Sequence, residues 1–293
     1  MIYGVVDYEI DHCGTDVVAY DMRLPPVVHY PLSIVNFFLV LFNIGCAPLL
    51  FASPPSFVFS SSEIDESSGI IKSRHYPNIF WTHNDSGDTA RIFAVHEDGK
   101  LVAEVEVAGA ENLDWEDIAA GDQGQIYICD IGGNTRVRND FAIYLIPEPN
   151  PDSDKSVKVI KKIKFRYEGG SHFDAEACFF ASGHIYILTK RLTMTKLYRL
   201  DPSKEDQVAE KISEYPVSGM VTGADVTPDG KTLAVLTYLG IHIFEKPKEN
   251  DNYLAGVHKT IDLFFGQAEG IAFDDSVLLI TNEEGQLLKV PYK

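Results

Sequence analysis

The chain has 293 residues, of which 45% are hydrophobic, enough to bury the core of one all-β domain or of two smaller ones. Acidic residues number 43 and basic residues 25, which gives a formal net charge of −18. A protein that binds nucleic acid needs a basic face, so this balance argues against nucleic acid as a main partner. It is compatible with cation binding, although most of these charges are typical of a solvated acidic surface.

The N-terminal region has the features of an export signal preceded by an acidic stretch. Leu32 to Gly45 form a 14-residue apolar run, the length of a signal-peptide h-region, and Met22-Arg23 provide a short positive segment ahead of it. Residues 1–21 contain Asp and Glu at five positions, which an export signal lacks. We therefore predict that translation starts at Met22, that residues 1–21 are a gene-start error, and that residues 22–52 are a signal or lipoprotein-type segment.

The end of the apolar run leaves the mode of export open. Ile44-Gly45-Cys46 resembles a bacterial lipobox, in which the cysteine is lipidated after cleavage, but Asn43 stands where a leucine is usual. Ordinary cleavage near Ala52 and an uncleaved anchor are the alternatives. We expect an exported protein that is periplasmic, extracellular or lipid-anchored, and that contacts a membrane only through this segment.

Five copies of one short phrase divide the rest of the chain. The copies are ESSGI (66–70), DWEDI (114–118), DAEAC (174–178), TGADV (222–226) and QAEGI (267–271). Their spacings of 48, 60, 48 and 45 residues are typical of one propeller blade per repeat.

Further β-rich runs follow each phrase, separated by turn signals such as Pro228-Asp229-Gly230. Fourth runs, among them 157–167 and 208–217, close four of the repeats, and the fifth repeat ends after its third run. FVFSS (57–61) can supply the missing outer strand. The sequence therefore predicts an all-β, five-bladed β-propeller with four-stranded blades, closed by pairing of the N-terminal strand with the last blade. This single domain spans 56–293 and follows a leader at 1–55.

One column of the repeat carries the proposed metal ligands. Aligning the phrases on their last residues stacks Ser68, Glu116, Glu176, Ala224 and Glu269. The innermost strands of a propeller line its central channel, so these side chains are expected to converge. Oxygen ligands suit a hard cation such as Ca²⁺. The alternative is that each glutamate pairs with a neighbouring Lys or Arg in the channel.

Loops on one face of the predicted propeller carry further candidates. Oxygen-bearing candidates in these loops are Asn84, Asp85, Asp88, Asp130, Asn134, Asn282 and Glu283. Arg136, Arg138, Lys190 and Arg191 are candidates for contacts to a substrate phosphate, with surface ion pairs as the alternative. Cys129 and Cys178 are predicted as small buried hydrophobic residues, and a disulfide between them stays open.

Two resemblances add expectations to this pattern. WTHNDSGD (81–88), WEDIA (115–119) and AEGIAF (268–273) resemble a group of uncharacterised bacterial exported propeller proteins over residues 63–293. That likeness implies no activity.

More distantly, the chain resembles the calcium-activated nucleotidases (apyrases), five-bladed propellers whose axial calcium is held by a Ser, Glu, Glu, Ser, Glu series. The resemblance implies Ser68, Glu116, Glu176 and Glu269 as ligands. Ala224 departs at the fourth position, where Thr222 lies two residues away. The resemblance also implies that Asp85 lies in the catalytic region, as a general base or as a residue that orients a metal-bound water. The alternative is that the residues NDSGD only form a tight turn, for which they are equally well suited. The family's long insertions with nucleotide contacts are absent.

These observations favour two functions of different classes. The first is an exported calcium-binding propeller that hydrolyses phosphoanhydrides or phosphoesters of a small molecule, with Asp85 in the catalytic role. The second is a non-catalytic propeller, stabilised by calcium, that binds a protein or glycan partner. A lactonase-type enzyme is a third, weaker reading. In each case we expect a monomer.

Overall fold

The computed structural model describes residues 9–10, 16–17, 56–133, 138 and 140–293. The chain divides into two compact units, residues 1–51 and 52–293. In the first unit, β1 (Glu9–Ile10) pairs antiparallel with β2 (Asp16–Val17). The predicted signal segment at 22–52 lies outside the described residues. Within the described ranges, no helix has the length and apolar character needed to cross a bilayer.

The second unit consists of five sheets whose strands follow the chain outward from the innermost strand, except that the N-terminal strand of the unit forms the outer edge of blade 5. Neighbouring strands are antiparallel, apart from one parallel pair at the outer edge of blades 1 and 2. Blade 1 contains β4 Ser67–Lys72, β5 Phe80–Asn84, β6 Arg91–Val95, β7 Leu101–Ala108 and β11 Ser156–Lys158. Blade 2 contains β8 Trp115–Ala120, β9 Gln125–Asp130, β10 Ala142–Pro147, β12 Lys161–Arg166 and β16 Asp206–Val208. Blade 3 contains β13 Ala175–Ala181, β14 His184–Thr189, β15 Thr195–Leu200 and β17 Glu210–Tyr215.

The last two blades keep four strands each. Blade 4 contains β18 Val221–Val226, β19 Thr232–Thr237, β20 Gly240–Glu245 and β21 Val257–Asp262. Blade 5 contains β22 Ala268–Asp274, β23 Val277–Asn282, β24 Gln286–Pro291 and β3 Ser56–Val58. Two single-turn 3₁₀ helices, Glu168–Gly170 and Tyr253–Ala255, interrupt the connections.

The five innermost strands form a closed ring, because each of β4, β8, β13, β18 and β22 packs against the next and β22 packs against β4. These strands are almost wholly buried, whereas the outer strand β7 alternates buried and exposed residues. An inner strand has neighbours on both faces, and an outer strand faces water on one side. Five hydrophobic clusters fill the gaps between neighbouring blades. The predicted five-bladed propeller is confirmed.

The ends of the propeller unit meet in blade 5. β3 pairs antiparallel with β24, with Phe57 opposite Leu287 and Val58 opposite Gln286. The predicted closure by the N-terminal strand is confirmed. Closure of this kind removes an exposed sheet edge that would otherwise be free to pair with another chain.

Blades 1 and 2 carry a fifth strand that the sequence did not predict. The run at 157–167 divides in two: β11 pairs parallel with β7 of blade 1, and β12 joins blade 2. The run at 208–217 divides in the same way between β16 on blade 2 and β17 on blade 3. Each run therefore crosses between blades, which links neighbouring blades through backbone hydrogen bonds. A continuous β pattern could not reveal the break, because both halves keep β-forming residues.

A disulfide joins blades 2 and 3. Cys129 on β9 and Cys178 on β13 form the bond, and both residues are fully buried. Their burial was predicted, and the structure resolves the open question of the disulfide. The bond adjoins the inner strands, since Cys129 lies opposite Asp117 in β8.

Candidate functional site

A β-bulge marks the same position in every inner strand. The pairing with the second strand skips one residue in each blade, and the skipped residues are Ser68, Glu116, Glu176, Thr222 and Glu269. A bulge turns the side chain of its extra residue away from the regular pleat, which here directs five equivalent side chains to the channel mouth.

The bulge corrects the fourth member of the predicted column. Alignment on the final hydrophobic residue had placed Ala224 there, but the backbone register places Thr222, two residues earlier. Ala224 packs instead in the hydrophobic cluster between blades 3 and 4. The sequence alignment missed this because blade 4 has two more residues between the bulge and the residue used for alignment.

The two hydroxyl members of the column link neighbouring blades. Ser68 Oγ donates to the backbone oxygen of Glu116 at 2.8 Å, and Thr222 Oγ1 donates to the backbone oxygen of Ala268 at 2.7 Å. Each hydroxyl oxygen keeps lone pairs after donating its proton. Both side chains are buried and retain acceptor capacity for a ligand.

Three further carboxylates approach Glu116. Asp85, Asp114 and Glu116 each place one oxygen within 4.8 Å of the others, and so do Glu116, Asp174 and Glu176. This span equals roughly twice an ordinary calcium–oxygen distance of about 2.4 Å, so one cation can reach all members of a group. These buried acidic groups could hold a metal ion. Glu269 belongs to neither group.

The sequence analysis missed Asp114 and Asp174, although the repeat contained the signal. Each lies two residues before its bulge glutamate, at the first position of the DWEDI and DAEAC phrases. The backbone oxygens of Asp114 and Asp174 accept from the residues that follow the second strands, Ile131 and Lys190. This shared bond fixes both aspartates at the rim of the channel.

The bulge glutamates are buried with incomplete hydrogen bonding. Glu116, Glu176 and Glu269 are at most 5% exposed, and each has one carboxylate oxygen without a partner among the described residues. Burial raises the pKa of Glu116 well above its ordinary range, and the charges of Glu176, Asp85 and Asp114 add to the effect. Burial likewise raises the pKa of Glu176 to about 7 and that of Glu269 well above its usual value. A bound cation would remove this cost of ionisation.

Lys190 supplies an internal cation on the other side of the channel. Its Nζ lies 3.2 Å from Glu176 Oε2 and 5.3 Å from the ring centre of Tyr238. Tyr238 in turn donates to Glu269 Oε1 at 2.7 Å. Burial alone would lower the pKa of Lys190, but Glu176 and Glu269 raise it above the ordinary value. The structure thus places Lys190, expected to contact substrate, against the predicted metal ligands.

Asp85 follows directly after β5 and lies half-buried beside Asp114 and Glu116. Its backbone N–H donates to Glu66 O at 3.0 Å, and Asn112 Nδ2 donates to Asp85 O at 2.8 Å. Burial raises the pKa of Asp85 to about 6, and the charges of Asp114 and Glu66 contribute. At neutral pH Asp85 is therefore mostly ionised and can accept a hydrogen bond from water.

Of the remaining basic candidates, Arg138 approaches the site, with its Nη1 3.9 Å from Asp114 Oδ2, and Arg191 lies elsewhere. Arg138 is buried and donates to Asp130 Oδ1 at 2.7 Å and to Gly132 O at 2.9 Å. Arg191 is exposed and lies over the ring of Phe173. Arg136 lies outside the described residues.

Most of the other oxygen-bearing candidates have structural partners. Asp88 pairs with Arg91, Asn84 donates to Glu63 O and Asp88, and Asn282 bonds Gln286. Glu283 lies close enough for its charge to raise the pKa of Asp85. Asn134 lies outside the described residues.

Asp117, next to Glu116, spans the channel. Its Oδ2 accepts the backbone N–H of Cys178 in blade 3 at 2.8 Å and that of Ala224 in blade 4 at 3.3 Å. Gly69 allows this crossing, because a Cβ there would lie 2.9 Å from Asp117 Oδ1. The crossing bonds hold three inner strands at a fixed separation behind the carboxylates.

Comparisons with known proteins support the fold and no more. No protein-family model matches the chain, and no curated protein matches it in sequence. The glutaminyl cyclase of Myxococcus xanthus is similar in structure, with a TM-score of 0.52 and 12% identity over 80% of this chain and 93% of that chain. A PQQ-bound aldose sugar dehydrogenase from Streptomyces coelicolor gives a TM-score of 0.47 and 9% identity over 82% of this chain and 99% of that chain. At 12% identity the likeness to the glutaminyl cyclase shows a shared fold alone.

Proposed function

We propose that this protein binds a hard divalent cation, calcium, at the channel mouth and uses it to hydrolyse phosphoanhydrides or phosphoesters. The observation that carries the proposal is a pair of buried oxygens, Glu116 Oε1 and Glu176 Oε1, that have no hydrogen-bond partner among the described residues. A buried carboxylate without a compensating charge is costly, and Glu116 has no ion pair among the described residues, whereas Lys190 pairs with Glu176. Calcium prefers oxygen donors of this kind.

The donor set fits calcium. Glu116, Asp174 and Glu176 would hold the ion, with the hydroxyls of Ser68 and Thr222 in the same ring of bulge residues. With Thr222 as its fourth member, the series reads Ser, Glu, Glu, Thr, Glu. This order agrees with the series of the calcium-activated nucleotidases that the sequence resembles, with threonine in place of the second serine. The agreement supports oxygen ligands at these positions, and we place the ion beside the second and third members, Glu116 and Glu176, rather than at Glu269.

Asp85 is the residue we assign to the attacking water. A bound calcium ion would polarise a phosphoryl oxygen and lower the pKa of its bound water. The Asp85 carboxylate, within 4.8 Å of an oxygen of Glu116, is placed to accept a hydrogen bond from that water and orient it. The half-buried position of Asp85 leaves it accessible to substrate.

We also propose that the protein is exported, and the disulfide between Cys129 and Cys178 supports this. Disulfides form and persist in oxidising compartments. Free-thiol counting on protein isolated from its native compartment tests this proposal: the two cysteines should not react without reductant. Reaction of both thiols would contradict it.

Phosphate release from ADP, ATP and UDP, measured with calcium and with chelator, tests the hydrolase. We expect turnover that requires calcium and falls roughly 100-fold or more in Asp85→Asn, because loss of an oriented water removes a positioned catalytic group. Asp122→Asn, an exposed aspartate in the loop between β8 and β9, is the matched control and should keep full activity. Calcium-independent release, or an active Asp85→Asn variant, would refute the assignment.

One observation favours the non-catalytic alternative. Lys190 and Arg138, two of the basic residues expected to hold a phosphate, are engaged with Glu176 and Asp130. A calcium-stabilised propeller that binds a protein or glycan would need no such contacts. Calcium binding without turnover on a panel of phosphoanhydrides, phosphoesters and lactones would favour this second function.

A further inference from the structure

Glu116 belongs to both carboxylate groups at the channel mouth. One group is completed by Asp85 and Asp114, and the other by Asp174 and Glu176. A carboxylate has two oxygens with about four lone-pair positions, so a single glutamate can bind two cations at once. Glu116 is 2% exposed, and its Oε1 has no hydrogen-bond partner among the described residues. An unpartnered oxygen at this depth is suited to contact a cation.

Gly132 provides the space in which Glu116 and Asp114 meet. A Cβ at Gly132 would lie 1.9 Å from Glu116 Oε1 and 2.6 Å from Asp114 Oδ2. The chain therefore brings the unpartnered oxygen of Glu116 close to a second carboxylate, at a position where no side chain separates them. Two carboxylate oxygens this close repel each other, and a divalent cation in contact with both would offset the repulsion.

The loop that contains Gly132 holds both groups. The backbone N–H groups of Ile131 and Gly132 donate to Asp114 O at 3.2 and 3.1 Å, and that of Gly133 donates to Asp174 Oδ1 at 2.9 Å. Three consecutive residues thus fix the position of one aspartate from each group. The two groups are built as one unit around Glu116.

We propose that the channel mouth binds two divalent cations, with Glu116 as the bridging ligand. The first cation contacts Asp174 and Glu176, and the second contacts Asp85 and Asp114. The inference rests on the proposed cation binding and deepens it, since Asp85 would orient the attacking water as a ligand of the second cation. Paired cations about 3.5–4 Å apart clamp both the attacking and leaving oxygens in phosphoryl hydrolysis.

Manganese provides the most direct test, because Mn²⁺ favours the same oxygen ligands and is paramagnetic. We expect electron paramagnetic resonance of the wild-type protein with two equivalents of Mn²⁺ to show an exchange-coupled spectrum. Native mass spectrometry with calcium should count two bound ions. Asp85→Asn and Asp174→Asn should each retain one ion and give the six-line spectrum of isolated Mn²⁺, and Glu116→Gln should lose the coupling. Asp122→Asn, in the exposed loop between β8 and β9, is the matched control and should keep two coupled ions.

The outcomes separate this inference from the proposed function. One bound ion in the wild type, with no coupling, overturns the two-cation site and leaves the single-cation function intact. No bound ion in the wild type overturns both. Two coupled ions that persist in Asp85→Asn overturn the assignment of the second position. Circular dichroism and melting temperature of each variant exclude a folding defect as the cause of a lost ion.

Discussion

Equivalent glutamates on the two sides of the channel mouth have different neighbours. Toward blades 1 and 2, Glu116 is surrounded by Asp85, Asp114 and Asp174. Toward blades 3 to 5, Glu176 and Glu269 are met by the ammonium of Lys190 and the hydroxyl of Tyr238. The glutamates of one repeat position are therefore compensated differently. Lys190 compensates Glu176 from within the chain, and we propose that a bound divalent cation compensates Glu116.

This difference arises from the residue that follows the second strand. That position is Asp85 in blade 1, Lys190 in blade 3 and Tyr238 in blade 4. Five-fold symmetry of the backbone thus supports a site without five-fold symmetry. The predicted alternative of a paired lysine describes Glu176, and the proposed metal concerns the side of Glu116.

Removal of the internal cation should have the largest effect on stability. Lys190→Met leaves Glu176 and Glu269 without a positive partner, so we expect a loss of about 3–5 kcal/mol in the free energy of unfolding in chelator. Urea denaturation with and without calcium measures it. Lys196→Met, whose ammonium lies over Phe173, is the control. Equal, small losses in both variants would show that Lys190 is an ordinary surface charge.

The pH dependence of stability should differ with and without calcium. Burial raises the pKa of Glu176 to about 7, so in chelator its protonated form stabilises the fold below about pH 4.5, and this stability is lost as the pH rises through 7. The loss is on the order of 3 kcal/mol. Melting temperatures between pH 5 and 8 should fall in chelator and stay level in calcium. A flat profile in chelator would contradict the raised pKa.

Glutamates on the two sides should contribute unequally to calcium affinity. Glu116→Gln should raise the Kd by roughly 100-fold, about 2.7 kcal/mol, because even outer-shell changes cost 10–100-fold. Glu269→Gln should raise the Kd by less than about tenfold, because the Tyr238 hydroxyl already donates to Glu269 and the Lys190 charge already compensates it. Isothermal titration calorimetry distinguishes the two. Equal losses would favour a symmetric axial site.

Thr222 should have the smallest effect. Thr222→Val removes the hydrogen bond to Ala268 O, for a loss of about 1 kcal/mol in stability, and weakens calcium binding only slightly. Ala224→Ser is the matched comparison, because it restores a hydroxyl at the position that the sequence alignment had chosen. Tighter calcium binding in Ala224→Ser would show that the bulge register assigns the wrong residue.

Much of the fold could be predicted from the sequence, because each copy of the sequence repeat forms one blade with the same backbone structure. Five copies of one phrase at blade-like spacings predicted five blades, and the missing outer strand of the fifth repeat predicted the role of residues 57–61. The fifth strands of blades 1 and 2 could not be predicted, because a strand that changes blades keeps the same composition.

The site was less accessible to sequence reasoning. The bulge glutamates recur in a column, so Glu116 and Glu176 could be chosen. Asp114 and Asp174 could not be chosen in the same way, because the sequence does not show that the residue two positions before each bulge glutamate also lies at the rim of the channel. Lys190 was noticed but placed on a loop surface, because its approach to Glu176 depends on a side-chain direction that sequence patterns do not encode.

Anomalous diffraction from crystals grown in calcium tests the central claim most directly. We predict anomalous density within about 2.3–2.6 Å of carboxylate oxygens of Glu116, on the side of Asp85, Asp114 and Asp174. Lys190 should remain against Glu176. Density centred on the five-fold axis, in contact with Glu269 and with Lys190 displaced, would contradict the account, and so would the absence of any density at Glu116.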